Sequence, residues 1–117
     1  MERYLGKHII LEFYECPREC IQDSRKVEEA FMEAARVSRA NIVKTVFHYF
    51  NPHGVSGVVV IAESHFSIHT WPEHGYCAID LFTCSEDLDL KKAIEVLKER
   101  LKPKYVSAFE FKRGTFI

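Results

Sequence analysis

The chain has 117 residues, of which 47% are hydrophobic and 28% charged, a composition that excludes a disordered or low-complexity protein and fits one domain with its own core. Sixteen basic residues against 17 acidic ones give a net charge of −1, so the positive excess needed to bind nucleic acid is missing. The longest unbroken apolar run, residues 58–62, is far too short to cross a membrane. No secretory signal is recognisable either, and we expect a cytoplasmic protein.

The first predicted strand begins at Lys7, in a stretch of branched and aromatic residues that alternate in polarity, and Pro17 ends it. Asp23 or Ser24 then offers an N-cap for a helix that we expect to run to about Arg39. Apolar residues recur along this helix at the spacing of one face, namely Val27, Ala30, Phe31, Ala34 and Ala35.

Four more strands are predicted between residues 42 and 84. The second covers residues 42–50 and closes in a turn at residues 51–54, whose Asn, Pro, His and Gly have strong turn chemistry. Strands at residues 55–63, 64–71 and 76–84 follow, separated by short turns. Short turns between neighbouring strands predict a mostly antiparallel sheet.

The last part of the chain predicts one helix and one strand. Acidic residues and a serine at residues 85–89 cap a helix that Pro103 stops. One face of it is apolar, with Leu90, Ala93, Ile94, Leu97 and Leu101. Residues 104–111 form the final strand, so the order is β-α-β-β-β-β-α-β, an α+β fold.

We predict a two-layer α+β sandwich in which both helices cover one face of the sheet. The large apolar strand residues exceed what two short helices can cover, so we expect the sheet to pack on a second copy, giving a homodimer with αββα layers. The residues that carry this argument are Phe47, Val58, Val60, Phe66, Ile68, Ile79, Leu81 and Phe82.

The cysteines and the histidine pair do not predict a metal site. Four cysteines are present, Cys16, Cys20, Cys77 and Cys84. They lack paired CxxC spacing, and a core of this size needs no disulfides, so we expect free thiols. His65 and His69 are four apart and share one face of a strand, but no carboxylate pattern completes a metal site.

Reactive side chains are concentrated in AESHFSIHTWPE, residues 62–73, which holds one serine of the ESH motif, two histidines and two carboxylates. The simplest interpretation is a half-exposed strand whose polar residues face water. Nearby, Ser56 interrupts an apolar strand, with Gly57 leaving room beside it. Cys84 ends a strand at a turn, where a thiol is either exposed to a pocket or buried as a small apolar group.

The segment FHYFNPHGVSGVVVIAESHFSIHTWPEHGYCAIDLFTC, residues 47–84, resembles the short bacterial and archaeal S-adenosylmethionine decarboxylases. ESH followed by IHTWPE is its most specific part, and GKHIILEFYEC with the two amphipathic helices extends the resemblance over nearly the whole chain. It implies one domain over residues 1–117 and a proenzyme that cuts itself between Glu63 and Ser64. Cleavage would leave a β chain of residues 1–63 and an α chain of residues 64–117, with Ser64 converted into a covalently bound pyruvoyl group.

The resemblance also implies roles for the reacting groups. Self-cleavage would proceed by attack of the Ser64 hydroxyl on the Glu63 carbonyl, with His69 as the base and Ser56 assisting. The pyruvoyl carbonyl would then form a Schiff base with the substrate amine and accept the electrons left when carbon dioxide departs. Cys84 matches the residue that returns a proton to the α-carbon.

For the substrate, the resemblance implies S-adenosylmethionine, decarboxylated to the aminopropyl donor of spermidine synthesis. Phe50 matches an aromatic that stacks on adenine, and Trp71 is a second aromatic wall. Glu73 matches the carboxylate that holds the ribose hydroxyls, and Ile61 completes the substrate-binding set. An arginine or ornithine decarboxylase of the same pyruvoyl-dependent kind, and an uncleaved paralogue that only binds, remain the alternatives.

The spacing of Ser64 and His69 gives one further expectation. They are five residues apart, so on one regular strand their side chains point to opposite faces. Either the strand breaks near the cleavage site, or His69 reaches Ser64 from the other protomer. We favour the second, which makes each active site a composite across the dimer interface.

Overall fold

The structure is a computed structural model that describes residues 3–50, 52 and 54–115. Its elements in chain order are β1 (Gly6–Tyr14), α1 (Arg18–Ile21), α2 (Ser24–Val37), β2 (Ile42–Tyr49), β3 (Val55–Ile61), β4 (Ser64–Trp71), β5 (Tyr76–Thr83), α3 (Leu90–Leu101) and β6 (Tyr105–Arg113). A short 3-10 helix, Pro72–His74, joins β4 to β5. In the part of the chain described, no helix is long and apolar enough to span a membrane.

The strands form one antiparallel sheet in the order β2-β3-β4-β5-β1-β6. The chain therefore runs through a meander from β2 to β5, while β1 sits between β5 and β6. This arrangement confirms the α+β fold class. The four-residue helix α1 was not predicted. Within the turn predicted at residues 51–54, Asn51 and His53 lie outside the described residues.

Local sequence signals explain where most elements begin and end. The Asp23 carboxylate accepts a hydrogen bond from the Arg25 N–H at 2.9 Å and so caps α2. The helix ends at Val37, two residues before the predicted end. The more consequential difference lies in β3, which was predicted to run to residue 63 and instead ends at Ile61. Residues 62 and 63 form a tight turn into β4.

The core lies between the sheet and the helices. Alternate residues of β1, β4 and β5 point to the helices and are buried, as a period of two requires. Five residues of the apolar set named in the homodimer prediction lie on the helix side instead: Phe66, Ile68, Ile79 and Leu81 belong to the core, and Phe47 is packed against it. The prediction was wrong for these five, because it counted the two faces of each strand together.

A neighbouring aromatic ring leaves no room for a side chain at Gly57. A Cβ on Gly57 would lie 2.0 Å from Cδ2 of Phe47, so the Phe47 ring fills the space that the missing side chain leaves. The same ring contacts that of Phe31 on α2, with centroids 6.1 Å apart. This aromatic contact ties β2 and β3 to the helix layer.

The side of the sheet opposite the helices, called here the open face, exposes aromatic and apolar side chains: Tyr14, Val46, Val60, Trp71, Tyr105, Phe109 and Phe111. Polar groups between them are paired. His8 bonds Asp80 at 3.0 Å, and the Tyr76 hydroxyl donates to Glu12 at 2.6 Å. Burial and the Glu12 carboxylate raise the pKa of Tyr76. Covering of this face by a second copy stays a prediction, now carried by Val60 from the set first named and by exposed residues outside that set.

Candidate active site

Ser64 begins β4 directly after a strained residue. Ile61 and Ser64 face each other across the turn that closes the β3–β4 hairpin. Glu63 has a φ of 62°, in the left-handed region that side chains disfavour. Holding a non-glycine residue there costs about 1–2 kcal/mol. The strain therefore falls on the residue that supplies the carbonyl of the predicted cleavage site.

Both sides of the Glu63–Ser64 peptide are held by the end of β5. The Cys84 N–H donates to the Glu63 carbonyl at 3.0 Å. The Ser64 hydroxyl donates to Thr83 Oγ1 at 2.8 Å, and Ser64 and Thr83 are register partners. An N–H aimed at a carbonyl also stabilises the oxyanion that forms when that carbonyl is attacked. We call Glu63, Ser64, Thr83 and Cys84 the Ser64 cluster.

The thiol of Cys84 is exposed, in agreement with one of its two sequence interpretations. Together with Leu5 and Thr83 it lines a cavity of about 270 Å³ at this end of the sheet. The other three cysteines are also free thiols. In the described residues, no three His, Cys, Asp or Glu side chains come together in a way that could hold a metal ion.

A second group of predicted residues converges at the other end of the β3–β4 hairpin. Phe50, Ser56, His69, Trp71 and Glu73 line one cavity of about 330 Å³, called here the His69 cavity. Aromatic side chains stand on two sides of it, and Glu73 supplies a carboxylate from the 3-10 helix after β4. A cavity that combines aromatic walls with an acid suits a ligand with a flat ring and hydroxyl groups.

His69 and Ser56 are in direct contact within this cavity. They are register partners, and Ser56 Oγ lies 2.7 Å from His69 Nδ1. When Nδ1–H donates to the serine, Nε2 keeps a free lone pair and is able to accept a proton. The predicted cooperation of Ser56 with His69 thus has a structural basis in one hydrogen bond.

The Ser64 cluster and the His69 cavity are well separated within one chain. Ser64 is buried on the helix side, whereas His69 is exposed on the open face, so the predicted opposite orientation is confirmed. Five residues of strand also separate their backbones by roughly 16 Å. The strand continues unbroken between them, which removes one of the two ways in which they were expected to meet.

Ile61 does not join the other predicted substrate-binding residues. Its side chain is 3% exposed and belongs to the core, beside Ser64 rather than in the His69 cavity. The sequence also gave no indication of Thr83. The only local signal is a hydroxyl at an inward-facing position of the otherwise largely apolar strand β5, and its meaning depends on the register with β4.

Comparisons with known proteins identify the family of this chain. The family model described as S-adenosylmethionine decarboxylase matches residues 7–114. The S-adenosylmethionine decarboxylase proenzyme of Thermotoga maritima is 55% identical over 112 residues, which cover 96% of this chain and 86% of that protein. The proenzyme of Pyrococcus furiosus is 46% identical over 110 residues, or 94% of this chain and 79% of that protein.

The fold has a solved counterpart as well. The crystal structure of the adenosylmethionine decarboxylase from Aquifex aeolicus superimposes with a TM-score of 0.89 at 31% identity, covering 96% of this chain and 92% of the other. The α+β fold of this chain is thus that of a class of decarboxylases. The chain belongs to the S-adenosylmethionine decarboxylase family.

Proposed function

We propose that the chain is a pyruvoyl-dependent S-adenosylmethionine decarboxylase that first cuts itself between Glu63 and Ser64. The observation that carries the proposal is the backbone conformation and hydrogen bonding of this one peptide. The residue that supplies its carbonyl, Glu63, is held at a left-handed φ, the Cys84 N–H donates to that carbonyl, and Thr83 holds the serine hydroxyl in place. Membership of the family supports the same reaction.

Self-cleavage proceeds through an ester between Glu63 and Ser64. The Ser64 oxygen attacks the Glu63 carbonyl carbon, and the Cys84 N–H stabilises the oxyanion. The C–N bond then breaks and the amine gains the proton that the Ser64 hydroxyl has lost, which leaves Glu63 joined to Ser64 as an ester. A base removes the Ser64 α-hydrogen, and the Glu63 carboxylate leaves as the β chain terminus. Water replaces ammonia on the resulting dehydroalanine, so residue 64 becomes pyruvoyl.

The residues present fit this group. Residue 64 would remain at the start of β4, paired with Thr83, and the Cys84 thiol lines a cavity together with Thr83. The pyruvoyl carbonyl would supply an electron sink for loss of carbon dioxide from an amino acid bound through its amine. The exposed Cys84 thiol would deliver a proton to the substrate α-carbon.

We further propose that His69 acts on Ser64 of a partner chain in a homodimer. The exposed aromatic surface of the open face supports such a partner, because a large apolar surface marks an interaction site. Within one chain, His69 lies on the open face and roughly 16 Å from Ser64 along the strand, so it does not reach its own Ser64. On this proposal the partner's His69 is the base that removes the Ser64 α-hydrogen, the step that follows ester formation.

The His69 cavity favours S-adenosylmethionine over arginine or ornithine. Phe50 and Trp71 give aromatic faces for an adenine ring, and Glu73 gives a carboxylate for ribose hydroxyls. Aromatic faces also attract the sulfonium cation, by about 0.5–2 kcal/mol. A free amino acid has neither an adenine nor a ribose, so it offers nothing for the aromatic faces of Phe50 and Trp71 or the Glu73 carboxylate to recognise. The product would serve as the aminopropyl donor of spermidine synthesis. A cytoplasmic location stays a prediction from the sequence.

The test is intact-protein mass spectrometry of the purified chain at neutral pH, beside a Ser64→Ala control. We expect two fragments from the unsubstituted chain, divided between Glu63 and Ser64, whose masses sum to the chain plus one water minus one ammonia. The Ser64→Ala chain should stay whole. The cleaved protein is then assayed for carbon dioxide release from S-adenosylmethionine, arginine and ornithine in parallel.

Each outcome of this test discriminates between the candidates. Cleavage with release from S-adenosylmethionine alone supports the proposal, whereas release from arginine or ornithine identifies the related amino acid decarboxylase. A chain that stays whole and releases nothing refutes the proposed function and leaves an uncleaved binding paralogue.

A further inference from the structure

Thr83 has no role assigned by the sequence resemblance, yet it is the side chain that holds the nucleophile. We propose that Thr83 is a positioning residue for self-cleavage, which fixes the Ser64 hydroxyl for attack on the Glu63 carbonyl carbon. This inference rests on the proposed function and concerns its first chemical step, formation of the ester.

The hydrogen bonds of Thr83 fix the direction of the Ser64 hydroxyl. A threonine hydroxyl has one hydrogen to donate and two lone pairs that accept. Thr83 Oγ1 donates to the Ser85 carbonyl at 3.2 Å and accepts from the Ser85 N–H at 2.9 Å. Its remaining lone pair accepts from Ser64 Oγ at 2.8 Å. Because the only hydrogen of Thr83 is committed to Ser85, the Ser64 hydrogen has to point toward Thr83.

This direction prepares Ser64 as a nucleophile. With its hydrogen turned toward Thr83, the Ser64 oxygen keeps both lone pairs free for the neighbouring carbonyl carbon. Cys84, the residue that follows β5, holds the oxygen of that carbonyl through its N–H. The last residue of β5 and the one after it therefore orient both partners of the first step, and β5 is an inner strand paired on both sides, with β4 and β1.

Burial makes the Thr83 hydroxyl hard to replace. Ser64 is 8% exposed and Thr83 only 2%, so bulk water has little access to the pair. A buried hydroxyl that loses its partner is left unsatisfied and seeks another geometry. Removing the Thr83 oxygen therefore frees the Ser64 hydroxyl to rotate, and fewer chains have the arrangement that leads to the ester.

The experiment compares Thr83→Val, Thr83→Ser and the unsubstituted full-length chain. Each is made by cell-free synthesis with a short labelling pulse, and the appearance of the two fragments is followed with time. We expect Thr83→Val to cleave about ten-fold or more slowly and Thr83→Ser to cleave at a rate near that of the unsubstituted chain. Ser38→Ala is the matched control, since it removes another buried hydroxyl, one that bonds the Ala35 carbonyl instead of Ser64. It should not slow cleavage.

Hydroxylamine, which cuts esters, identifies the step that is slowed. The His69→Ala chain lacks the base for elimination and should accumulate an ester that hydroxylamine cuts at Ser64. Thr83→Val should accumulate none, because it is held before the ester forms. If Thr83→Val does not fold by circular dichroism, Thr83→Cys takes its place, since a thiol of similar size is a weaker acceptor.

Three results would overturn the inference. Cleavage of Thr83→Val at the unsubstituted rate would show that the hydroxyl is dispensable. Equal slowing by Thr83→Ser would assign the effect to packing, and an ester in Thr83→Val would assign it to elimination. In contrast, failure of the unsubstituted chain to cleave at all would refute the proposed function itself, so the two failures are distinguishable.

Discussion

Co-expression of two inactive chains tests whether each active site is shared between protomers. One chain carries Ser64→Ala and keeps His69, and the other carries His69→Ala and keeps Ser64. Neither can cleave in a homodimer. In a mixed dimer with shared sites, one site combines the intact Ser64 of one chain with the intact His69 of the other, while the second site has neither.

The expected yield follows from the geometry. Within one chain the two residues lie roughly 16 Å apart along β4 and on opposite faces of the sheet, so an intrachain reaction would need the strand to unfold. Random pairing puts about half of the Ser64-bearing chains into mixed dimers. We therefore expect about half of those chains to be cut, as measured by intact mass, and none when either variant is expressed alone.

The reciprocal pairing is the matched control. An unsubstituted chain is co-expressed with a chain that carries both Ser64→Ala and His69→Ala. If sites are shared, their mixed dimer contains no complete site, and about half of the unsubstituted chains should stay whole. If each chain is self-sufficient, all of them should be cut. Mixed dimers are verified by a tag on one chain only. Their isolation without any cleavage in the first experiment would refute the shared site.

Three other substitutions test the binding site, the core and the open face. Glu73→Gln should leave cleavage unchanged and raise KM for S-adenosylmethionine in a steady-state assay, because an amide holds ribose hydroxyls less strongly than a carboxylate; an unchanged KM would contradict the assigned role. Phe31→Ala removes a fully buried ring and should lower the free energy of unfolding by about 3–5 kcal/mol in urea titrations. The pKa of Tyr76 is raised by burial and by Glu12, so the unfolded chain ionises this tyrosine first as pH rises above 10, its ordinary value. Stability should therefore fall there, and Tyr76→Phe should make the fall less steep in urea titrations across that range.

Most of the fold was predictable because its signals are local. Strands of period two, helices of period 3.6 and an Asp N-cap act within a few residues, and these located every long element to within about two residues. The order of strands in the sheet is not local. Nothing near β1 in the sequence indicates that it lies between β5 and β6.

The misassigned open face has a physical explanation in the same terms. The count of surplus apolar residues combined both faces of each strand. Phe66 and Ile68 alternate with His65 and His69, so they point to the helices while the histidines point away. In a sheet with one covered face, each strand residue has to be assigned to the helix side or the open face by its alternation before exposed apolar residues are counted.

The same distinction between local and non-local signals applies to the candidate site. The opposite orientation of Ser64 and His69 was predictable, because it depends only on an odd spacing within one strand. The contacts of Ser56 with His69 and of Ser64 with Thr83 depend on register between strands, which the local sequence does not state. Family resemblance supplied the first pair, but it gave no indication of the second.

The two ends of β4 are suited to different steps of one reaction. At the buried end, Thr83 and Cys84 orient the Ser64 hydroxyl and the neighbouring carbonyl, so a single chain already positions both partners of ester formation. At the exposed end, His69 is positioned by Ser56 but lies too far away to reach its own Ser64. On the proposal of a shared site, a lone chain is therefore prepared for the first step and lacks the base for the second. Elimination then waits for the partner, and assembly of the dimer becomes a condition for producing the active enzyme.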